Sequence, residues 1–459
     1  MNTDKEEKIQ RSLAVSWKEG IPAAVMQNIM DYYVVPFGLF LGASPQFIGF
    51  LVSLPHLTGS VIQLYAADII RRSKSRLKFL VGQSWLQALM LLPMAVIALW
   101  NFSGRLTLLI FLVMFYRMVG NLIGTAWGSL VSDYLAPEAR GWYLGWRSQV
   151  VGIAGVTGMA TGGLLLFLMK GVHQGLGFAL LFLGASICRF VSRHLMARMV
   201  DLPVHHEPGS DFTFFMFLRR FRRSNFVKYV LFVSGITFAT NLAAPYFAVY
   251  MLRDLEFSYL TYTAIHMSAI MSSLISFPIW GRHADEVGNA KILKITGFFI
   301  PFIPFLWLVS KAPLYLVFVE MFAGFVWGGF NLCAANFIYD AVSPAKRIRC
   351  IGYFNLINGI AIFMGAALGG YGADRLPVLL GSPLLSLFVI SGALRLVIFL
   401  VLFRHFKEVR AGARHVSSLN LFFSVAGIKP VVGRVNDWDG LTTGTKFSDK
   451  PKEPSAPSK

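Results

Sequence analysis

The chain has 459 residues, 55% of them hydrophobic and only 14% charged, and its mean hydropathy of +0.60 is far above that of a water-soluble globular protein, so lipid is the solvent for most of its surface. The net charge of +19 does not signal a nucleic-acid partner, because the 42 Lys and Arg lie at the ends of apolar segments and not on a domain of their own. Three cysteines, Cys188, Cys333 and Cys350, lie in or beside apolar segments with no partner at CxxC spacing, which excludes a disulfide framework or zinc site and reads as packing.

Met1 to Lys18 is charged and polar, and no short apolar region with a small-residue cleavage site follows it, so no cleaved signal peptide is expected. A helical bilayer crossing takes about 20 apolar residues, and twelve such spans are predicted. The first six cover 19–41, 46–69, 77–100, 106–132, 142–168 and 176–199. The second six cover 226–251, 259–281, 291–310, 314–339, 350–373 and 383–404. The fold class is therefore an all-α membrane protein, with bundles at 19–199 and 226–404.

Between the two sets, 200–225 forms a linker that is polar at His205, His206, Glu207, Pro208 and Gly209. Phe212, Phe214, Phe215, Phe217, Leu218 and Phe221 then alternate with Arg219, Arg220, Arg222 and Arg223, as an amphipathic helix on anionic lipid requires. Residues 405–459 form a tail rich in Gly, Pro, Ser and Lys, expected to be largely disordered. With the N-terminus in the cytoplasm, 34 Lys and Arg fall in cytoplasmic segments, five in external loops (Arg105, Lys170, Arg253, Lys311, Arg375) and three inside helices. The positive-inside rule then sets the orientation: an inner-membrane, multi-pass protein with both termini cytoplasmic.

The two sets repeat each other. At an offset of 207 residues, Asp133, Pro137, Arg140, Gly145, Gly152, Gly158, Gly162 and Gly163 fall on Asp340, Pro344, Arg347, Gly352, Gly359, Gly365, Gly369 and Gly370, with Ile153, Ala154 and Ala160 on Ile360, Ala361 and Ala367. An acid and a proline end one helix, a basic residue follows, and the next helix carries glycines that let a neighbour approach. Gly281, Asp285, Gly288 and Lys291 further resemble the loop motif of the major facilitator superfamily. The equivalent first copy is degenerate: Asp68 is followed by Arg71, Arg72, Lys74 and Arg76, but Leu64 and Arg71 stand where that family has glycines. The resemblance covers about residues 19–404 and implies two pseudo-symmetric six-helix bundles. It also implies gating roles for Asp68 and Asp285, facing Arg140 or Arg147 and Arg347 or Arg349.

Ionisable groups inside a bilayer cost several kcal/mol unless paired or wet, which makes Asp31, Arg117 and Glu320 candidates for solute binding or coupling. At about 1.5 Å per residue, Asp31 and Arg117 lie roughly 20 and 24 Å from the cytoplasmic ends of their helices, so they can pair. Three readings of the pair stay open: a proton or cation site at Asp31 tuned by Arg117, a permanently closed structural pair, or an anion site at Arg117 alone. Gln27, Asn28, Tyr32, Asn121, Asn241, Asn331 and Asn336 supply uncharged polar groups in the helices that line a central cavity in the resembled family. His56 and His266 are candidate proton relays or packing residues. Arg189 and Arg395 are expected to snorkel to an interface, and Pro36 and Pro245 to bend helices one and seven beside the site.

No Walker A sequence occurs, no nucleophile has a neighbouring base, and no spacing suits a metal, so neither an enzyme nor a cofactor protein is expected. Secondary transport of a small solute by alternating access is the leading expectation, with the bilayer and protons as further partners, no nucleic acid and a monomeric state. A transporter-like sensor or assembly partner is the alternative.

Overall fold

The computed structural model describes residues 2–73, 75–135, 137–202, 224–342 and 344–410. The aromatic–basic linker segment, the His205-His206-Glu207 cluster and the tail after residue 410 lie outside the described residues, as do the side chains of Arg140 and Arg347.

Among the described residues, twelve helical spans carry the fold. They are α1 (Asn2–Phe40), α2 (Pro45–Arg72), α3 (Arg76–Leu99), α4 (Arg105–Tyr134), α5 (Pro137–Met169) and α6 (Gln174–Met196) in the first half. The second half has α7 (Asn225–Asp254), α8 (Tyr259–Val287), α9 (Asn289–Leu306), α10 (Pro313–Ala341), α11 (Pro344–Gly372) and α12 (Pro383–Leu402). Eleven of them are long and apolar enough to cross a membrane. The twelfth expected crossing is α1, which is 39 residues long but carries Gln27, Asn28 and Asp31. The charged N-terminal segment is thus a helical extension of the first span, stabilised in part by docking Leu13 among buried residues of α2, α4 and α5.

Side chains fix several helix starts. Ser44, Ser75, Ser258 and Ser382 each accept a hydrogen bond from a first-turn amide of α2, α3, α8 or α12, answering amide groups that the helix itself leaves unpaired. Proline acts differently in the two pseudo-equivalent helices. α7 breaks at Leu242–Ala243, directly after Asn241, and restarts as Ala244–Val249 followed by a π turn at Tyr250–Asp254. Pro245 has no amide proton for the carbonyl one turn earlier, so the break has a local cause. In α1 the helix runs on through Pro36 without a break.

Within the halves α3 packs on α4 and α6, α1 on α5 and α6, α7 on α11 and α12, and α8 on α10. The halves meet mainly through α2 against α11 and α5 against α8. Glycine makes these approaches possible: a Cβ at Gly324 would collide with the Ala269 carbonyl, and one at Gly359 with the Ser60 hydroxyl.

The repeat is legible in the bonds. Tyr33 of α1 donates to the Met159 carbonyl of α5 at 2.6 Å, and Tyr246 of α7 donates to the Ala366 carbonyl of α11 at 2.6 Å; the two acceptors differ by the repeat offset of 207. The matched acids behave alike. Asp133 accepts from Arg76, the first residue of α3, and Asp340 from Asn289, the first residue of α9, both at 2.7 Å.

Candidate transport site

In α4, Arg117 and Asn121 stand one turn apart on one face. Across from them in α1 stands Asp31, and the Arg117 Nη2 donates to its Oδ1 at 2.8 Å. The arginine lies close along α2 because position 59 is glycine: a Cβ there would sit 2.7 Å from the Asn121 amide nitrogen and 3.2 Å from the Arg117 Cγ. The pair is partly exposed, with 31% of the Asp31 side chain and 26% of the Arg117 side chain accessible.

At the end opposite the chain termini the halves are bonded to each other. Tyr33 and Thr263 hydroxyls lie 2.8 Å apart, Tyr262 donates to the Tyr32 carbonyl at 2.8 Å, and Gln174 donates to Tyr259 at 2.6 Å. His266 sits beside this seal, its ring 4.6 Å from Tyr262 and 5.6 Å from Tyr32. Glu320 is half-buried, and Tyr32 and Tyr262 both lie in its electrostatic field. His56 shares the field of Arg117. The Asp31–Arg117 pair lies on the other side of these bonds, toward the end that carries the termini.

On that side of the pair, the first half encloses a cavity of about 190 Å³ lined by Gln27, Arg117, Asn121 and a cluster that sequence reasoning missed. Glu19 is 1% exposed. It accepts from Arg147 at 3.1 Å, Trp127 at 2.9 Å and Ser192 at 3.0 Å. The Arg147 guanidinium also stacks 4.0 Å over the Trp127 ring, and Arg189 donates to Ser192 at 3.1 Å. Glu19 stands at the first residue of the predicted span, where a carboxylate reads as a wet helix end.

Two arginines overturn their expectation. Arg189 and Arg395 are 3% and 1% exposed, so neither snorkels. Arg189 faces Ser192 and Glu19, while Arg395 reaches Ser391 and the carbonyls of Ile300 and Thr240; interior acceptors outcompete the distant interface. Their near-repeat spacing of 206 residues was the available signal that both sit at one structural position.

The other candidates divide by helix rotation. Asn28 bonds the Ala24 carbonyl and fills the space at Gly155, and Asn241 bonds the Thr237 carbonyl beside Gly365; both lie in helix-to-helix contacts. Asn331 lines a second cavity, of about 320 Å³, in the other half. At the termini end Asp285 bonds Arg410, just past α12, at 2.9 Å, and Asp68 is exposed. Arg147, a possible partner of the Asp68 loop by sequence, turns inward to Glu19 instead.

Glu19→Gln tests the cluster's structural weight. It leaves the part-buried Arg147 and the buried Arg189 without their carboxylate, and removing one partner of a buried ion pair costs about 3–5 kcal/mol. A clear fall in the melting temperature of the detergent-solubilised protein is expected, and Glu19→Gln melting with the wild type would show that the cluster bears no weight.

Two helical halves with one internal repeat and an ion pair between α1 and α4 narrow the choice of family, and the sequence decides it: residues 20–310 and 230–443 match the Major Facilitator Superfamily. The chain belongs to that superfamily. Bovine (Bos taurus) Monocarboxylate transporter 13 is 27% identical over 269 residues, 56% of this chain and 61% of that protein, so the match spans about three fifths of the relative's length. Among solved structures, the nucleoside transporter NupG superposes with a TM-score of 0.65 at 14% identity, over 86% of this chain and 99% of that one. A bacterial homologue of the iron transporter ferroportin in an inward-facing state gives 0.62 at 13% identity, over 86% and 99%. At such identities the superpositions speak for the fold. This superfamily member is a multi-pass membrane protein.

Proposed function

We propose that the protein is a secondary active transporter that moves a small solute across the inner membrane by alternating access, with proton coupling through Asp31 and Arg117. The observation that carries this reading is the partly exposed ion pair between α1 and α4, lying behind a set of hydrogen bonds that join the halves at one end. The excess of basic residues at the termini end favours that end as cytoplasmic, which makes the described state inward-facing.

The chemistry follows from competition for one guanidinium. A solute anion that takes Arg117 displaces Asp31 from it, so the freed carboxylate becomes the group through which a proton loads with the solute. The name of the bovine relative, a monocarboxylate transporter, agrees with a carboxylate as the competitor. Rocking of the halves about α2–α11 and α5–α8 then exposes the loaded site to the other side.

The test is a pH-electrode measurement on the purified, lightly buffered protein in detergent. Adding a panel of organic anions, sugars, amino acids and lipophilic cations should change bound protons for one class only. A panel that binds with no proton uptake or release removes the coupling from this reading.

A further inference from the structure

The two cavities occupy the same place in the two halves. Met26, Gly120, Ile123, Gly124, Trp127 and Arg147 line the first. Residues 207 positions later, Val233, Trp327, Phe330, Asn331, Ala334 and Phe354, line the second. Helices related by the internal two-fold lie at the same depth, so the cavities face the pathway from opposite sides at one level.

Their chemistry is not repeated. The first cavity brings together three guanidiniums, Arg117, Arg147 and Arg189, against Glu19, with Asp31 bound to Arg117. One positive charge is left over, and the buried Nε atoms of Arg117 and Arg189 have no hydrogen-bond partner among the described residues. Among the described residues, the second cavity, at about 320 Å³ the larger, has no ionisable side chain other than Tyr339 in its lining. It offers Trp327, Phe330 and Phe354 as apolar walls, with the amides of Asn331, Asn355 and Asn358. Where the first half has Arg147, the second has Phe354.

We infer that the transported solute is an organic anion with an apolar body, its charged head held by the arginines of the first half and its body by the aromatic cavity of the second. This deepens the proposed function and rests on it for the route between the halves. A guanidinium binds a carboxylate in a planar two-bond geometry that neither a neutral nor a cationic group reproduces. The aromatic side rewards each buried CH₂ with about 0.8 kcal/mol, close to fourfold in affinity. The leftover charge disfavours a cation in the first cavity, and the lack of a second basic cluster disfavours a dianion spanning both.

The experiment is calorimetric titration of the full-length protein in detergent with acetate, butyrate, hexanoate and 3-phenylpropionate, and with the amide and amine of the last. Affinity should rise by up to about 200-fold from acetate to hexanoate, about fourfold for each buried CH₂, and amide and amine should bind at least about tenfold more weakly than their acid. Phe354→Ala should flatten the series; since that ring also stacks on Tyr229, Ala335→Phe is the second variant, filling the cavity from an exposed position. It should exclude 3-phenylpropionate more than acetate. Equal binding of acid, amide and amine, a series flat in the wild type, or no carboxylate binding up to ~10 mM overturns the inference. Binding here needs no proton movement, so an intact series in a protein that moves no protons refutes the coupling alone.

Discussion

Asp31→Asn is expected to lower pH-gradient-driven uptake into proteoliposomes by about 10–100-fold, the range that coupling free energies of about 1–3 kcal/mol span, while solute exchange without a gradient persists. The asparagine keeps the shape and can still accept a hydrogen bond from Arg117 where the 2.8 Å contact now stands, but it cannot carry a proton. Folding should suffer little, because a pair with a quarter to a third of each side chain exposed contributes near the low end of ion-pair energies, about 1 kcal/mol. Solute affinity should rise or hold, since Arg117 no longer has an ionised partner to leave. Arg117→Gln should do the reverse and abolish binding itself. Driven uptake by Asp31→Asn at the wild-type rate would make the pair a packing device, and the coupling would have to be sought at Glu320 or His266, which sit beside the seal.

What the sequence discloses here follows from the solvent. Lipid forces each crossing to be a long apolar run, so the spans and the 207-residue repeat can be read directly. The Asp31–Arg117 contact was predictable because two charges at one depth in hydrocarbon have few other ways to lower their cost. Rotation about the helix axis is harder to read. Asn28 and Asn121 look alike in sequence, yet one packs against Gly155 and the other lines a cavity. Glu19 escaped notice because a segment that is charged and polar up to Lys18 suggested that the helix was leaving the membrane there. In fact α1 continues back to Asn2, and its neighbours close over the carboxylate. Arg410 as the partner of Asp285 depends on where the chain turns after α12, which no periodicity reports.

The seal offers the second large effect. At Gly163 a Cβ would fall on the Thr263 hydroxyl and within 2.8 Å of the Tyr33 hydroxyl, the two groups that bond across the halves. Gly163→Val therefore cannot coexist with the seal as it stands. Losing the Tyr33–Thr263 hydrogen bond and adding overpacking at one contact costs about 2–4 kcal/mol, charged only to the state in which this end is closed. A penalty of that size shifts a two-state balance by about 30–1,000-fold, so the transporter should rest open at the end now closed and transport should stop. The repeat supplies an independent copy: Gly370, the mate of Gly163, lies 2.7 Å by the same construction from the Tyr246 hydroxyl and 3.0 Å from the Gln46 Cα of the other half. Gly370→Val should act in the same direction through α2 and α11, whereas Gly171→Val, with open space around it, should do nothing. The readout is maleimide labelling of Tyr259→Cys, buried at 8% exposure in the sealed state, on a background with Cys188, Cys333 and Cys350 replaced by Ala. Both glycine variants should label at least about tenfold faster than the parent. Unchanged labelling in Gly163→Val with transport intact would mean that the tyrosine contacts are incidental and that closure at this end is held elsewhere.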